Sequence, residues 1–103
     1  MFKNKVVVIT GAGSGIGYLT ALNFAKNGAA VILLDYNEEL LEKSKTNILN
    51  ITDNVSSYKT DIRNYDELLY VRKRVLDDYG SIDILINAAG GSAKRIFKCK
   101  KEF

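Results

Sequence analysis

Gly11, Gly13, Gly15 and Gly17 occupy alternate positions in a seven-residue stretch, directly after the apolar run Val6, Val7, Val8, Ile9. Glycine between a buried strand and a helix lets backbone amides approach a pyrophosphate closely, while the helix N-terminus adds unpaired N–H groups and the positive end of its dipole. A tight turn needing positive φ would explain one or two glycines, but not four. The spacing excludes two phosphate-binding patterns. G-x-G-x-x-G fails because Ile16 or Tyr18 stands where the third glycine is needed, and the Walker pattern fails because the loop holds no lysine. What is present is T-G-x-x-x-G-x-G, made by Thr10, Gly11, Gly15 and Gly17. Three further sets could contribute: Asp35, Asp61 with Ile62, and the turn Asn87, Ala88, Ala89, Gly90. Taken singly, the two aspartates could merely end strands and Asn87 could merely form a turn.

The surrounding pattern decides whether these residues can meet. Residues 5–10 read as a fully buried strand, because consecutive β-branched residues leave no polar face. Residues 16–27 read as a helix presenting Ile16, Leu19, Leu22 and Phe24 to the core and stopping at Gly28. Residues 30–34 form a second buried strand closing on Asp35, and Asn37 caps a second helix with Leu41 and Ile48 inward. Residues 56–60 are a weaker strand leading into Asp61. A capping-box-like Asn64-Tyr65-Asp66-Glu67 opens a third helix with Leu68, Val71, Val75 and Tyr79 inward, ending at Gly80. Residues 82–86 are then the fourth strand. Strict β-α-β-α-β-α-β alternation implies parallel strands joined by right-handed crossovers, with helices on both faces. All four candidate sets follow strands, so all four fall on one edge of the sheet.

With this spacing the chain resembles the short-chain dehydrogenase/reductase family over residues 5–91. The glycine loop, the run GIGYLTALNFAKNGAAVILLD, the Asp61-Ile62 pair and the Asn87-Ala88-Ala89-Gly90 turn each match, in order; Ala88 departs from the family's second asparagine. The resemblance implies an α/β fold, a Rossmann-type doubly wound parallel sheet of strand order 3-2-1-4, truncated after strand four. It also implies a dinucleotide-binding unit over residues 1–91 and a basic tail, or the start of a truncated loop, over 92–103. Cofactor contacts are expected from Gly11, Ser14, Gly15, Ile16, Gly17, Asp35, Asp61, Ile62, Asn87, Ala88 and Gly90. Asp61 takes the place of the acidic residue that meets the adenine. Asp35, 24 residues after Gly11, can accept from both hydroxyls of the adenosine ribose. It should repel a 2′-phosphate: like charges about 4 Å apart cost up to roughly 4 kcal/mol at an effective dielectric of 20, and half of that is still a factor of roughly thirty. Neither Ser14 nor Tyr36 supplies a compensating cation, so NAD is expected over NADP.

The family moves a hydride between nicotinamide and an alcohol or ketone, using a serine and a Tyr-x-x-x-Lys pair. None of the six tyrosines has lysine four residues on; Tyr70 with Arg74 comes nearest, on a predicted solvated helix face. The expectation is therefore the cofactor-binding portion of a longer, homo-oligomeric oxidoreductase, inactive by itself, with a non-enzymatic dinucleotide-binding module as the alternative. Composition narrows the remaining classes. No apolar run is long enough to span a bilayer, Cys99 is alone and histidine is absent, so neither a membrane protein nor a transition-metal centre is expected and the cytoplasm is the default. Residues 1–90 carry ten Lys and Arg against eleven Asp and Glu, and residues 91–103 five against one. The net charge of +3 is thus a property of the tail rather than a nucleic-acid surface. Strand four, with Asp83 as its only charge, is expected to be an edge prone to self-pairing.

Overall fold

The computed structural model describes residues 1–88. Gly90 and the tail expected at 92–103 lie outside the described residues. The elements run β1 (Val6–Thr10), α1 (Gly15–Lys26), β2 (Ala30–Asp35), α2 (Glu38–Leu49), β3 (Val55–Lys59), α3 (Tyr65–Tyr79) and β4 (Ile84–Asn87). The four strands are parallel in the order β3-β2-β1-β4, which is the expected topology.

Alternate residues of β1 and β2 point to opposite faces and so build two cores. On one face Val6, Val8, Ile32 and Leu34 pack with Leu68, Val71 and Val75 of α3 and with Ile82. On the other, Val7, Ile9, Val31 and Leu33 meet Ala21 and Ala25 of α1 and Leu41 and Ile48 of α2. One crossover helix below and two above make the sheet doubly wound, and burial on both faces explains why β1 contains no polar alternation. The helix termini follow their sequence signals. Asn37 Oδ1 accepts from the Leu40 N–H at 3.0 Å at the start of α2. At α3, Asn64 Oδ1 accepts from the Glu67 N–H at 3.1 Å while Asn64 Nδ2 donates to Glu67 Oε2 at 3.0 Å. Gly80 ends α3 at φ 85°, a left-handed conformation suited to glycine.

Two expectations are corrected. In α1 the core-facing stripe is Gly17, Ala21 and Ala25; Ile16 and Leu19 are 78% and 61% exposed, and Leu22 and Phe24 are only partly buried. Small residues at i, i+4 and i+8 bring the helix axis close to β1, and that closeness outweighs the burial that larger side chains on the neighbouring stripe would give. In the fourth strand the ladder begins at Ile84 rather than residue 82, with Val7 opposite Ile84 and Thr10 opposite Asn87. Ile82 is buried below the strand. Asp83 leaves the edge altogether: its N–H donates to the Val6 carbonyl at 2.9 Å and its Oδ2 accepts from the Val6 N–H at 2.9 Å. Among the described residues β4 is the edge strand beside β1, and its side chains are half-buried. No helix among them is long and apolar enough to cross a membrane.

Candidate nucleotide-binding site

The site lies at the carboxyl ends of the strands, where the order switches from β1–β2 to β1–β4. Backbone bonds between neighbouring strand ends hold it together. The Ala12 N–H donates to the Leu34 carbonyl at 3.1 Å, and the Thr60 N–H to the Asp35 carbonyl at 2.9 Å. Across the switch point, Thr10 Oγ1 donates to Asn87 Oδ1 at 2.8 Å.

The glycines divide the work of the loop. Gly11 and Gly15 have φ of 66° and 60°, which only glycine adopts without strain. A Cβ at Gly15 would meet nothing within 4 Å, so this residue faces open space at the start of α1. Gly17 is the opposite case. A Cβ there would collide with the Gly11 carbonyl, lying 2.6 Å from its carbon, so this glycine is a packing requirement that lets α1 lie against the loop. At Gly13 the obstruction is the side chain of Asp35, because a Cβ would lie 2.7 Å from its Oδ2.

The N-terminus of α1 differs from those of α2 and α3. Its N-cap, Ser14, is extended and makes no side-chain capping bond, and its first turn has no acidic residue. The other two helices each have an asparagine cap and two acids in the first turn. The first N–H groups of a helix have no intrahelical partner and carry roughly half a unit of positive charge between them. In α1 these donors, from Gly15, Ile16 and Gly17, open beside a loop in which alternate residues are glycine, and the arrangement suits an anionic group.

Asp35 ends β2 next to that loop. Its Oδ2 accepts from the Gly13 N–H at 2.8 Å and its Oδ1 from the Asn37 N–H at 2.9 Å. Each oxygen therefore keeps one lone pair for a further donor, a pair of acceptors on one carboxylate. Lys59 is the register partner of Asp35 on β3, and its Nζ sits 5.7 Å from the centre of the Tyr36 ring. Sequence spacing does not show this cation, because β3 brings it in from 24 residues away.

Asp61 follows β3 and is engaged by its neighbour Arg63. Its Oδ1 accepts from the Arg63 backbone N–H at 2.9 Å and from Nε at 3.1 Å, and its Oδ2 from Nη2 at 3.2 Å. The hydrogen bonds from the Arg63 side chain, joined by that from its backbone, hold the Asp61 carboxyl below the ordinary carboxylate value. Ile62 is partly buried against the α3 core. Ile16 is exposed beside the glycine loop, Ala88 is exposed just after Asn87, and Gly90 is not described. The structure thus brings the loop, Asp35, Asp61, Asn87 and Ala88 to one edge. The nearest approach to a Tyr-x-x-x-Lys pair lies on α3, where Arg74 Nη1 donates to Tyr70 Oη at 3.2 Å and Arg74 also pairs with Asp78 at 3.7 Å. Both side chains are solvent-exposed, as their sequence setting suggests.

Comparison with known proteins agrees with this geometry. A family model described as short chain dehydrogenase matches residues 5–102. The 3-oxoacyl-(acyl-carrier-protein) reductase FabG of Thermotoga maritima is 39% identical over 88 residues, which are 85% of this chain and 36% of that protein. A crystal structure of NAD+-bound xylitol dehydrogenase superposes with a TM-score of 0.78 at 38% identity, covering 82% of this chain and 32% of the other. A metagenomic short-chain oxidoreductase in complex with NADP, at 29% identity, superposes with a TM-score of 0.76 over 81% and 38% of the two chains. The chain spans about a third of the length of the curated relatives it matches.

Proposed function

The chain belongs to the short chain dehydrogenase family, and on that premise we propose that it is the NAD(H)-binding portion of an oxidoreductase acting on an alcohol or ketone. Residues 1–91 make the dinucleotide-binding unit, and 92–103 are a basic tail or the start of a further loop. Bound nicotinamide would supply the hydride carrier, and the protein's part here is to hold and orient it. Gly11, Ser14, Gly15, Ile16 and Gly17 receive the pyrophosphate at the N-terminus of α1, and Asp35 takes the adenosine ribose. Asp61 and Ile62 flank the adenine. Asn87, Ala88 and Gly90 border the cofactor beyond the switch point. The serine and the Tyr-x-x-x-Lys pair that carry proton transfer in this family have no counterpart in the 103 residues, so the chain alone is expected to give no turnover. We place the protein in the cytoplasm, without nucleic-acid or membrane partners, and the full-length enzyme as a homo-oligomer.

The observation that carries this reading is the uncapped, acid-free start of α1 opening between the glycine loop and a carboxylate whose two oxygens are each held by a backbone N–H. The carboxylate also favours NAD over NADP, since a 2′-phosphate would meet its charge directly. Lys59, the register partner of Asp35, acts the other way. Calorimetric titration of both cofactors against the parent chain and Asp35→Ala tests the proposal. NAD should bind the parent more tightly, and the substitution should weaken NAD and narrow the gap. An unchanged preference removes Asp35 from the site, and a parent that prefers NADP transfers the deciding role to Lys59.

A further inference from the structure

We propose that Ser44 and Gly13 are positioning residues for Asp35, and that this chain of three residues sets how sharply the site separates a free from a phosphorylated adenosine ribose. The inference rests on the nucleotide-binding reading of the same loop. Its starting point is a polar residue in an apolar place. Ser44 is 3% exposed on the inward stripe of α2, between Leu41 and Ile48. A buried hydroxyl is costly unless it is hydrogen-bonded. Serine inside a helix commonly satisfies itself on the carbonyl four residues back. Ser44 instead donates its Oγ proton to the carbonyl of Gly13 at 3.0 Å, 31 residues away in sequence.

The Gly13 peptide unit continues the chain. Its N–H donates to Asp35 Oδ2 at 2.8 Å, so residue 13 is gripped through its carbonyl by α2 and through its amide by the carboxylate ending β2. Its φ is not positive, unlike those of Gly11 and Gly15, so conformational freedom does not explain glycine here. Space does: a Cβ would lie 2.7 Å from Asp35 Oδ2 and 3.0 Å from Leu40 Cβ. Glycine at 13 is what allows the carboxylate to dock on the loop. With Oδ1 held by the Asn37 N–H, the docked carboxylate cannot swing into solvent, where water would screen its repulsion of a 2′-phosphate. Ser44, itself buried, fixes the height of the peptide on which the carboxylate rests.

The test is a double-mutant cycle read as the ratio of NAD to NADP affinity in the 103-residue chain. Gly13→Ala should lower that ratio about tenfold, and Ser44→Ala about fivefold, the equivalent of one lost neutral hydrogen bond. Ser44→Thr, which keeps the hydroxyl, should retain most of the preference. In an Asp35→Ala background each substitution should change the ratio by less than about twofold, because both act through a carboxylate that is no longer there. Effects of equal size with and without Asp35 overturn the proposal, as does a parent-like ratio in Ser44→Ala. The underlying reading fails separately, if Asp35→Ala alone leaves the ratio unchanged. A second readout needs no cofactor: the Gly13 amide, held on the carboxylate, should exchange with solvent slowly in the parent chain and at least about fivefold faster in Ser44→Ala and in Asp35→Ala. A Gly13 amide that exchanges equally fast in all three also overturns it.

Discussion

Gly15 and Gly17 differ by two positions, and the structure predicts different phenotypes for the same substitution. In Gly17→Ala the new methyl would sit 2.6 Å from the Gly11 carbonyl carbon and 3.2 Å from Ala12 Cα. Both are backbone atoms with no rotamer to change, so relief requires α1 to move off the loop. Overpacking of this kind costs about 1–3 kcal/mol, and backbone obstruction places this case at the upper end. For a small domain each kcal/mol lowers Tm by about 4–8 °C, so a fall of roughly 10–20 °C is expected. In Gly15→Ala the methyl enters open space, and the only structural penalty is a left-handed residue with a Cβ, about 1–2 kcal/mol, or roughly 5–15 °C. That same open space is the proposed pyrophosphate seat, so Gly15→Ala should lose at least tenfold in NAD affinity, about 1.4 kcal/mol beyond any folding effect. Thermal denaturation followed by circular dichroism, with NAD titration at a temperature where both variants are folded, separates the two. A Gly15→Ala chain that binds NAD like the parent refutes the pyrophosphate seat, and a Gly17→Ala chain with an unchanged Tm refutes the close helix–loop contact.

Three further outcomes can be checked on the same chain. Leu68→Ala empties a fully buried position between α3 and the sheet and should cost about 2–5 kcal/mol in urea denaturation, without altering the NAD to NADP ratio. Arg63→Ala should raise the Asp61 carboxyl towards its ordinary value, measured by carboxylate NMR; because the folded value in the parent is lowered, the pair's contribution to stability is present above the unfolded carboxylate pKa and is lost as pH falls through the folded one, so the urea midpoints of parent and variant should converge in acid. Strand β4 should promote self-association as salt rises, since Asp83 is tied to β1 and the edge strand's own aliphatic residues carry no charge; light scattering that shows a monodisperse monomer across the salt series contradicts this.

Element order and the grouping of the loops at one edge were legible because each rests on a strong local signal: unbroken β-branched runs, Asn caps with acids in the first turn, and glycine at helix ends; strand order came with the family resemblance. What was not legible depends on distances between elements. The apolar residues Ile16 and Leu19 looked like a core-facing stripe by periodicity, yet Gly17, Ala21 and Ala25 take that place, because the closeness of α1 to β1 is set by the Gly17–Gly11 contact rather than by hydropathy. Asp83 read as the charge within strand four because a linear pattern cannot show its bonds to Val6, 77 positions away. Lys59 came to Asp35 through the β2–β3 register, and Arg63 came to Asp61 through a turn geometry with no spacing signature. Ser44 did leave a trace, a hydroxyl on an otherwise apolar inward stripe, and such a residue is a signal that something across the interface needs a donor.

The bonds at this edge also bear on how the site would bind. Loops at a binding site ordinarily lose conformational freedom when a ligand arrives, and that ordering subtracts from affinity. Here most of the ordering is complete in the chain itself. Ala12 is tied to Leu34, Gly13 to both Asp35 and Ser44, Thr60 to the Asp35 carbonyl, and Thr10 to Asn87, so the ends of all four strands are linked in one network. None of these bonds uses the donors at the start of α1 or the second lone pair on either Asp35 oxygen. The donors at the start of α1 thus take no part in holding the edge, whereas Asp35 does both: its two oxygens link the edge and keep a lone pair each for a further donor. Removing a bond that only links, such as that from Ser44 to Gly13, should thus loosen the site and blur its selectivity, whereas Asp35→Ala, which removes a linking and an offered group together, should weaken NAD binding and lower the urea midpoint at once.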